Sequence, residues 1–240
     1  MPTFFAALLR VHLACALGAT ACFWVAAFVE KGGTLHRAAG RWFSRLIYAA
    51  AWTGGTMAIA TIGIPSWVHS PNPAETAESL ALNRQTMWFV LYVLLIIVTP
   101  VQHGLAVVAA GPAPARMRSR VHAALNVASM LGTPALLAAT VVWQRWMFLI
   151  VMPIGFVVGL RNFSYGSRRT ATSIEWEREH LTSMLTAGIT LHTAFFVFGT
   201  SRTLDWRLEG LAALIPWTLP AVVGLAGIAW WRVRGGRVGT

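Results

Sequence analysis

Long apolar runs, separated by short stretches rich in proline, glycine, serine or arginine, make up most of the chain. A helix that crosses the roughly 30 Å hydrocarbon core of a bilayer needs about 20 apolar residues, because each residue adds about 1.5 Å. The pattern predicts seven helices, over residues 3–29, 42–67, 87–110, 122–143, 146–160, 179–200 and 211–231. The breaks follow local chemistry. "IPSWVHSPNPAETAESLALNRQ" carries three prolines and reads as a loop with a short surface helix near residues 75–83. "GPAPARMRSR" and "RNFSYGSRRTATS" are polar connections. In the second, Ser173 followed by Glu175 and Glu177 has the composition of a helix N-terminus. "VVWQRWMF" is the tightest break, either a sharp turn between two spans or the middle of one bent segment. The expected fold is all-α: a polytopic transmembrane bundle of about seven helices, forming one domain over residues 1–240.

Composition agrees with this reading. Of the 240 residues, 56% are hydrophobic and 11% are charged, against about 25% charged in a soluble domain. The net charge of +11 is spread over many short connections. That distribution excludes a nucleic-acid surface and suits the bilayer, with anionic lipid headgroups as the counter-charge. Arg10, the first basic residue, lies inside the first apolar run, so that run is expected to be a retained span. Cys15 and Cys22 lie seven residues apart in one predicted helix, about 10.5 Å along its axis, too far to pair with each other.

The nineteen basic residues also orient the bundle. Fourteen fall on one side: Lys31, Arg37, Arg41 and Arg45, the groups 116–120 and 161–178, and the C-terminal tail. Four fall on the other, at 84, 145, 202 and 207, and Arg10 lies within the first span. The positive-inside rule places the side with fourteen in the cytoplasm. The N-terminus is then outside and the C-terminus inside, as an odd number of spans requires, in a cell inner membrane.

Polar residues at membrane depth are costly and mark function by default. Of seven histidines, His69 lies in an outer loop and the other six fall into two layers. His36, His122 and His180 stand at the cytoplasmic starts of helices two, four and six, and His103 reaches that level from helix three. Glu30, Glu175, Glu177 and Glu179 share the layer. Converging imidazoles and carboxylates could bind zinc or non-haem iron, so His36, His103, His122 and His180 are candidate metal ligands. Alternatively they cap helices and contact lipid phosphates. His12 and His192 lie at one depth near the outer side, and such a pair could hold a haem b iron from both faces. Alternatively they bond Thr20, Thr190 or backbone.

Three function classes follow: redox or hydrolytic chemistry at a metal or haem, a transporter or channel, and an accessory membrane protein without catalysis. No G-x-S-x-G, Walker or G-x-G-x-x-G motif occurs.

"LHRAAGRWFSRLIYAA", residues 35–50, resembles the H-R-x-x-G-R signature of the bacterial membrane family DUF2306, carried here by His36, Arg37, Gly40 and Arg41. "EHLTSMLTAGITLHTAFFVFGT", residues 179–200, resembles a late helix of related bacterial membrane proteins at His180 and Met184. The resemblance covers about 40 of the 240 residues. It implies a polytopic membrane fold and carries no assigned activity.

Overall fold

A computed structural model describes residues 3–64, 77–117, 119–199 and 210–235. Those residues form seven helices long and apolar enough to cross a membrane, and no strand. The helices are α1 (Thr3–Phe28), α2 (Thr34–Gly63), α3 (Ala77–Ala110), α4 (Arg120–Trp143), α5 (Met152–Gly166), α6 (Ser173–Ala194) and α7 (Ile215–Gly235). The number of spans is the predicted one, but three boundaries shift. The first is α2, which starts at Thr34, eight residues before the expected position, so His36 lies in a helical first turn. In α3, the expected surface helix and span merge into one element. Between α5 and α6 the connection shrinks to residues 167–172. The break at "VVWQRWMF" is a tight turn. Gln144 takes the left-handed conformation (φ 55°) that closes α4, and a short 3₁₀ segment, Trp146–Ile150, leads to α5.

Contacts divide the chain into two compact units, Met1–Leu94 and Leu95–Thr240, with the division inside α3. In the first unit α1 packs along α2. Gly18 meets Leu46 there, and the rings of Phe23 and Phe43 lie 5.8 Å apart. Lys31 folds back to donate to the carbonyls of Ala26 (2.9 Å) and Ala27 (2.5 Å), groups left without helical partners at the end of α1. Burial lowers its pKa below the ordinary lysine value.

In the second unit α4 packs on α5, and α6 on α7. Large apolar side chains face outward, among them Leu131, Val142, Val157 and Val222. Buried side chains include Ser129, Asn126, Asn162, Thr140 and Ser183. This inside-out polarity is what lipid demands: apolar groups gain nothing by leaving the hydrocarbon, whereas polar groups must find partners within the protein. Thr99 on α3 and Ser129 on α4 share a hydrogen bond of 2.8 Å, and the Thr133 hydroxyl donates to the carbonyl of Met152 on α5.

Two contacts between helices set the positions used below. At Gly104 a methyl group would stand 2.5 Å from Met184 Cε and 3.3 Å from Ser183 Cβ, so the bare backbone lets α6 lie against α3. At Gly159 it would stand 2.8 Å from the Asn126 carbonyl oxygen and 2.5 Å from Met130 Cγ, so α5 lies against α4. Small residues at such crossings are how helices approach closely in membranes.

Candidate functional site: a buried histidine–glutamate relay

The polar core of the second unit is a continuous chain of hydrogen bonds. Ser119 caps α4, its side chain accepting from the N–H of His122 at 3.0 Å. The cap fixes the first turn of α4 and with it the His122 ring. That ring stacks on His103 of α3, with centroids 5.2 Å apart and planes 22° from parallel. His103 Nδ1 lies 2.9 Å from His122 Nε2. On its other side, His103 Nε2 lies 3.0 Å from Glu179 Oε1 on α6. The close approach at Gly104, the next residue of α3, brings that carboxylate within reach. His180 strengthens the contact with a 3.0 Å bond from Nδ1 to the Gly104 carbonyl.

Two asparagines set the sense of the chain. The amide nitrogen of Asn126 donates to the His122 carbonyl at 2.7 Å and lies 3.2 Å from His122 Nε2. Its oxygen accepts from the Asn162 amide of α5 at 2.7 Å. The amide nitrogen is therefore a donor toward the ring. A lone pair on His122 Nε2 satisfies both neighbours, which makes His103 Nδ1 a donor. With the tautomers arranged in this way His103 carries a hydrogen at Nδ1, and one further proton lies between its Nε2 and Glu179 Oε1. The pair is an imidazolium facing a carboxylate or an imidazole facing a carboxylic acid.

Arg161 lies on the same carboxylate. Its Nε lies 3.3 Å from Glu179 Oε1, an ion-pair distance without hydrogen-bond alignment. Another guanidinium nitrogen donates to Ser183 at 2.9 Å, and Ser183 donates to the Glu179 carbonyl. His103 is fully buried, whereas the Glu179 side chain at one end of the chain is 14% exposed and Ser119 at the other end is exposed. Glu179 faces a pocket of about 330 Å³ whose wall includes Arg161, Tyr165, Arg168, Glu175 and Arg178. Beside it, Tyr165 meets the His103 ring edge-on at 5.9 Å. Val107, Ala110, Met117 and Ala171 pack around Tyr165 and close the apolar side. A capping box holds the start of α6: Thr172 accepts from the Glu175 N–H, and Glu175 accepts from the Thr172 N–H at 2.8 Å.

The predicted site residues separate accordingly. His103 and His122 come together, and His180 lies on the same α3–α6 contact with its Nδ1 on backbone. His36 belongs to the other unit, where its Nδ1 bonds the Ala26 carbonyl at 3.0 Å and ties the start of α2 to the end of α1. Among the described residues no group of three or more His, Cys, Asp or Glu side chains is arranged to hold a metal ion. His12 bonds the Ala50 carbonyl (2.9 Å) and Thr53 (3.2 Å) through Nδ1, and His192 bonds the Gly188 carbonyl at 2.7 Å. Of the four candidate acids, Glu179 reaches a histidine. His69 lies outside the described residues.

Asn126, Asn162, Arg161 and Tyr165 were not anticipated. The last three fall in "RNFSYGSRRTATS", read as a loop, whereas α5 continues to Gly166. Two signals were present. Asparagines stand within or beside long apolar runs, and Gly155 and Gly159 form a G-x-x-x-G step leading to Asn162.

The chain matches no protein-family model, and no curated protein or solved structure shows significant similarity to it.

Proposed function

We propose that this is a multi-pass inner-membrane protein that exchanges a proton with a polar ligand at Glu179, using the buried His103–His122 pair as the reservoir behind it. One observation carries the reading. A carboxylate at the edge of a pocket shares one oxygen with a fully buried imidazole, which is backed by a second imidazole. A structural ion pair needs one partner of each sign. A second histidine stacked behind the first adds a place for a proton and no further attraction. Titratable groups coupled in this way and open to a cleft on one side are typical of acid–base sites. The arrangement serves proton-coupled solute movement or general acid–base catalysis equally. The distribution of basic residues supports a cytoplasmic location for the pocket, and the H-R-x-x-G-R resemblance at His36 supports a DUF2306-like bacterial membrane family.

Infrared titration of the purified protein tests the reading. The carboxylic-acid C=O band lost in Glu179→Gln identifies Glu179. If the relay operates, His103→Gln shifts the midpoint of that band, and His122→Gln shifts it in the same direction by less. A Glu179 band that titrates identically in wild type and His103→Gln refutes the relay.

A further inference from the structure

We propose that the pocket between α5 and α6 takes a singly charged oxyanion, a carboxylate or phosphate group, and takes up one proton with it. The proton half rests on the acid–base reading above, whereas the anion half stands on the charges of the wall. Three guanidiniums, of Arg161, Arg168 and Arg178, face two carboxylates, of Glu175 and Glu179, which leaves one positive charge in excess. The cations differ in their engagements. Arg161 holds Glu179 and Ser183. Arg168 lies 3.3 Å from Glu175 and stacks over the Tyr165 ring at 5.7 Å. Among the described residues the Arg178 guanidinium has no hydrogen-bond or ion-pair partner. Tyr165 also lines this wall, but its hydroxyl is buried, without a partner and not open to the pocket. A guanidinium without a partner, in a wall with a positive charge in excess, is a donor that a carboxylate or phosphate oxygen accepts from. A pocket of this size suits a small molecule or a headgroup.

Glu179 couples the anion to the proton. Its carboxylate shares the wall with the incoming charge, and the two repel. The groups that face Glu179 are His103 on α3, with His122 of α4 behind it, then Arg161 and Tyr165 on α5, Arg168 in the connection after α5, and Glu175, Arg178 and His180 on α6 itself. None of these cations can follow the anion, so the repulsion is removed most simply by one proton from solution. That proton joins the second carboxylate oxygen while Oε1 keeps its bond to His103. One anion and one proton enter, no other bond forms or breaks, and the charge of the site is unchanged.

The oxyanion can arrive free in solution or as the phosphate of an anionic lipid, and calorimetry on the full chain in nanodiscs separates the two. Inorganic phosphate and acetate are titrated into phosphatidylcholine discs near neutral pH, in two buffers of different ionisation enthalpy, so that proton uptake is counted. The same titration is repeated in discs containing phosphatidylglycerol. Expected for wild type is saturable binding with close to one proton taken up per anion. Arg178→Gln, at a half-exposed position of α6, weakens binding at least tenfold while the helical circular dichroism is kept. Glu179→Gln binds as tightly or more tightly and takes up no proton. Weaker apparent phosphate affinity in the phosphatidylglycerol discs assigns the site to a lipid headgroup, and equal affinity assigns it to a free anion. Absence of binding in every disc, or equal binding by wild type and Arg178→Gln, overturns the proposal. Wild-type binding without proton uptake overturns the coupling and leaves the anion site standing, whereas the acid–base reading falls only with the infrared titration.

Discussion

Asn126 joins the two halves of the polar core, and its replacement by alanine tests whether that core acts as one unit. The side chain donates to the His122 carbonyl, contacts His122 Nε2 and accepts from Asn162. Both asparagines are fully buried, and the Asn162 oxygen already lacks a partner. In Asn126→Ala the Asn162 amide nitrogen loses its acceptor as well. An orphaned buried donor costs about 1–3 kcal/mol, and a hydrogen bond between helices in a membrane contributes about 0.6 and at most roughly 1.7 kcal/mol. The expected loss is about 2–3 kcal/mol. Asn162→Ala removes the donor together with an oxygen that had no partner, and leaves one orphan, the Asn126 oxygen. Its expected loss is smaller, about 1–2 kcal/mol. The double variant has no orphan at either position, so its loss falls short of the sum of the single losses by about 1 kcal/mol. Unfolding equilibria in mixed detergent micelles with increasing dodecyl sulfate, followed by circular dichroism, measure all three. Single losses that add to the double loss within a few tenths of a kcal/mol would show that the two amides do not depend on one another. The hydrogen-bond sense assigned to His103 would then lose its support.

Gly159→Ala should destabilise by about 1–3 kcal/mol through overpacking against the Asn126 carbonyl. Gly40→Ala meets nothing within 4 Å and should be neutral or stabilising by up to about 1 kcal/mol, read in the same unfolding assay. With Cys15 and Cys22 replaced, a single cysteine at Thr170 should be labelled by an impermeant maleimide only from the cytoplasmic side, and one at Gln144 only from outside. Labelling of both from the same side would contradict the orientation inferred from the basic residues.

Hydropathy alone determined that the chain makes seven spanning-length helices, because a run of about 20 apolar residues has few alternatives in a bilayer. Charge counting adds an orientation, and the polar cost of membrane depth singled out His103, His122 and Glu179 as residues needing an explanation. The tertiary structure decided which polar groups meet. Histidines at one level look equivalent along the chain, yet His36 and His180 bond backbone carbonyls while His103 and His122 bond each other. The difference lies in which helices touch and in how each is rotated about its axis. Neither is visible in a pattern of apolar residues, because lipid and a neighbouring helix present equally apolar surroundings. Helix ends were equally hidden. The last turns of α5 are polar because they line the pocket, so they read as a loop. Arg161, Asn162 and Tyr165 became visible as site residues only when Gly104 and Gly159 were seen to bring α3 to α6 and α4 to α5.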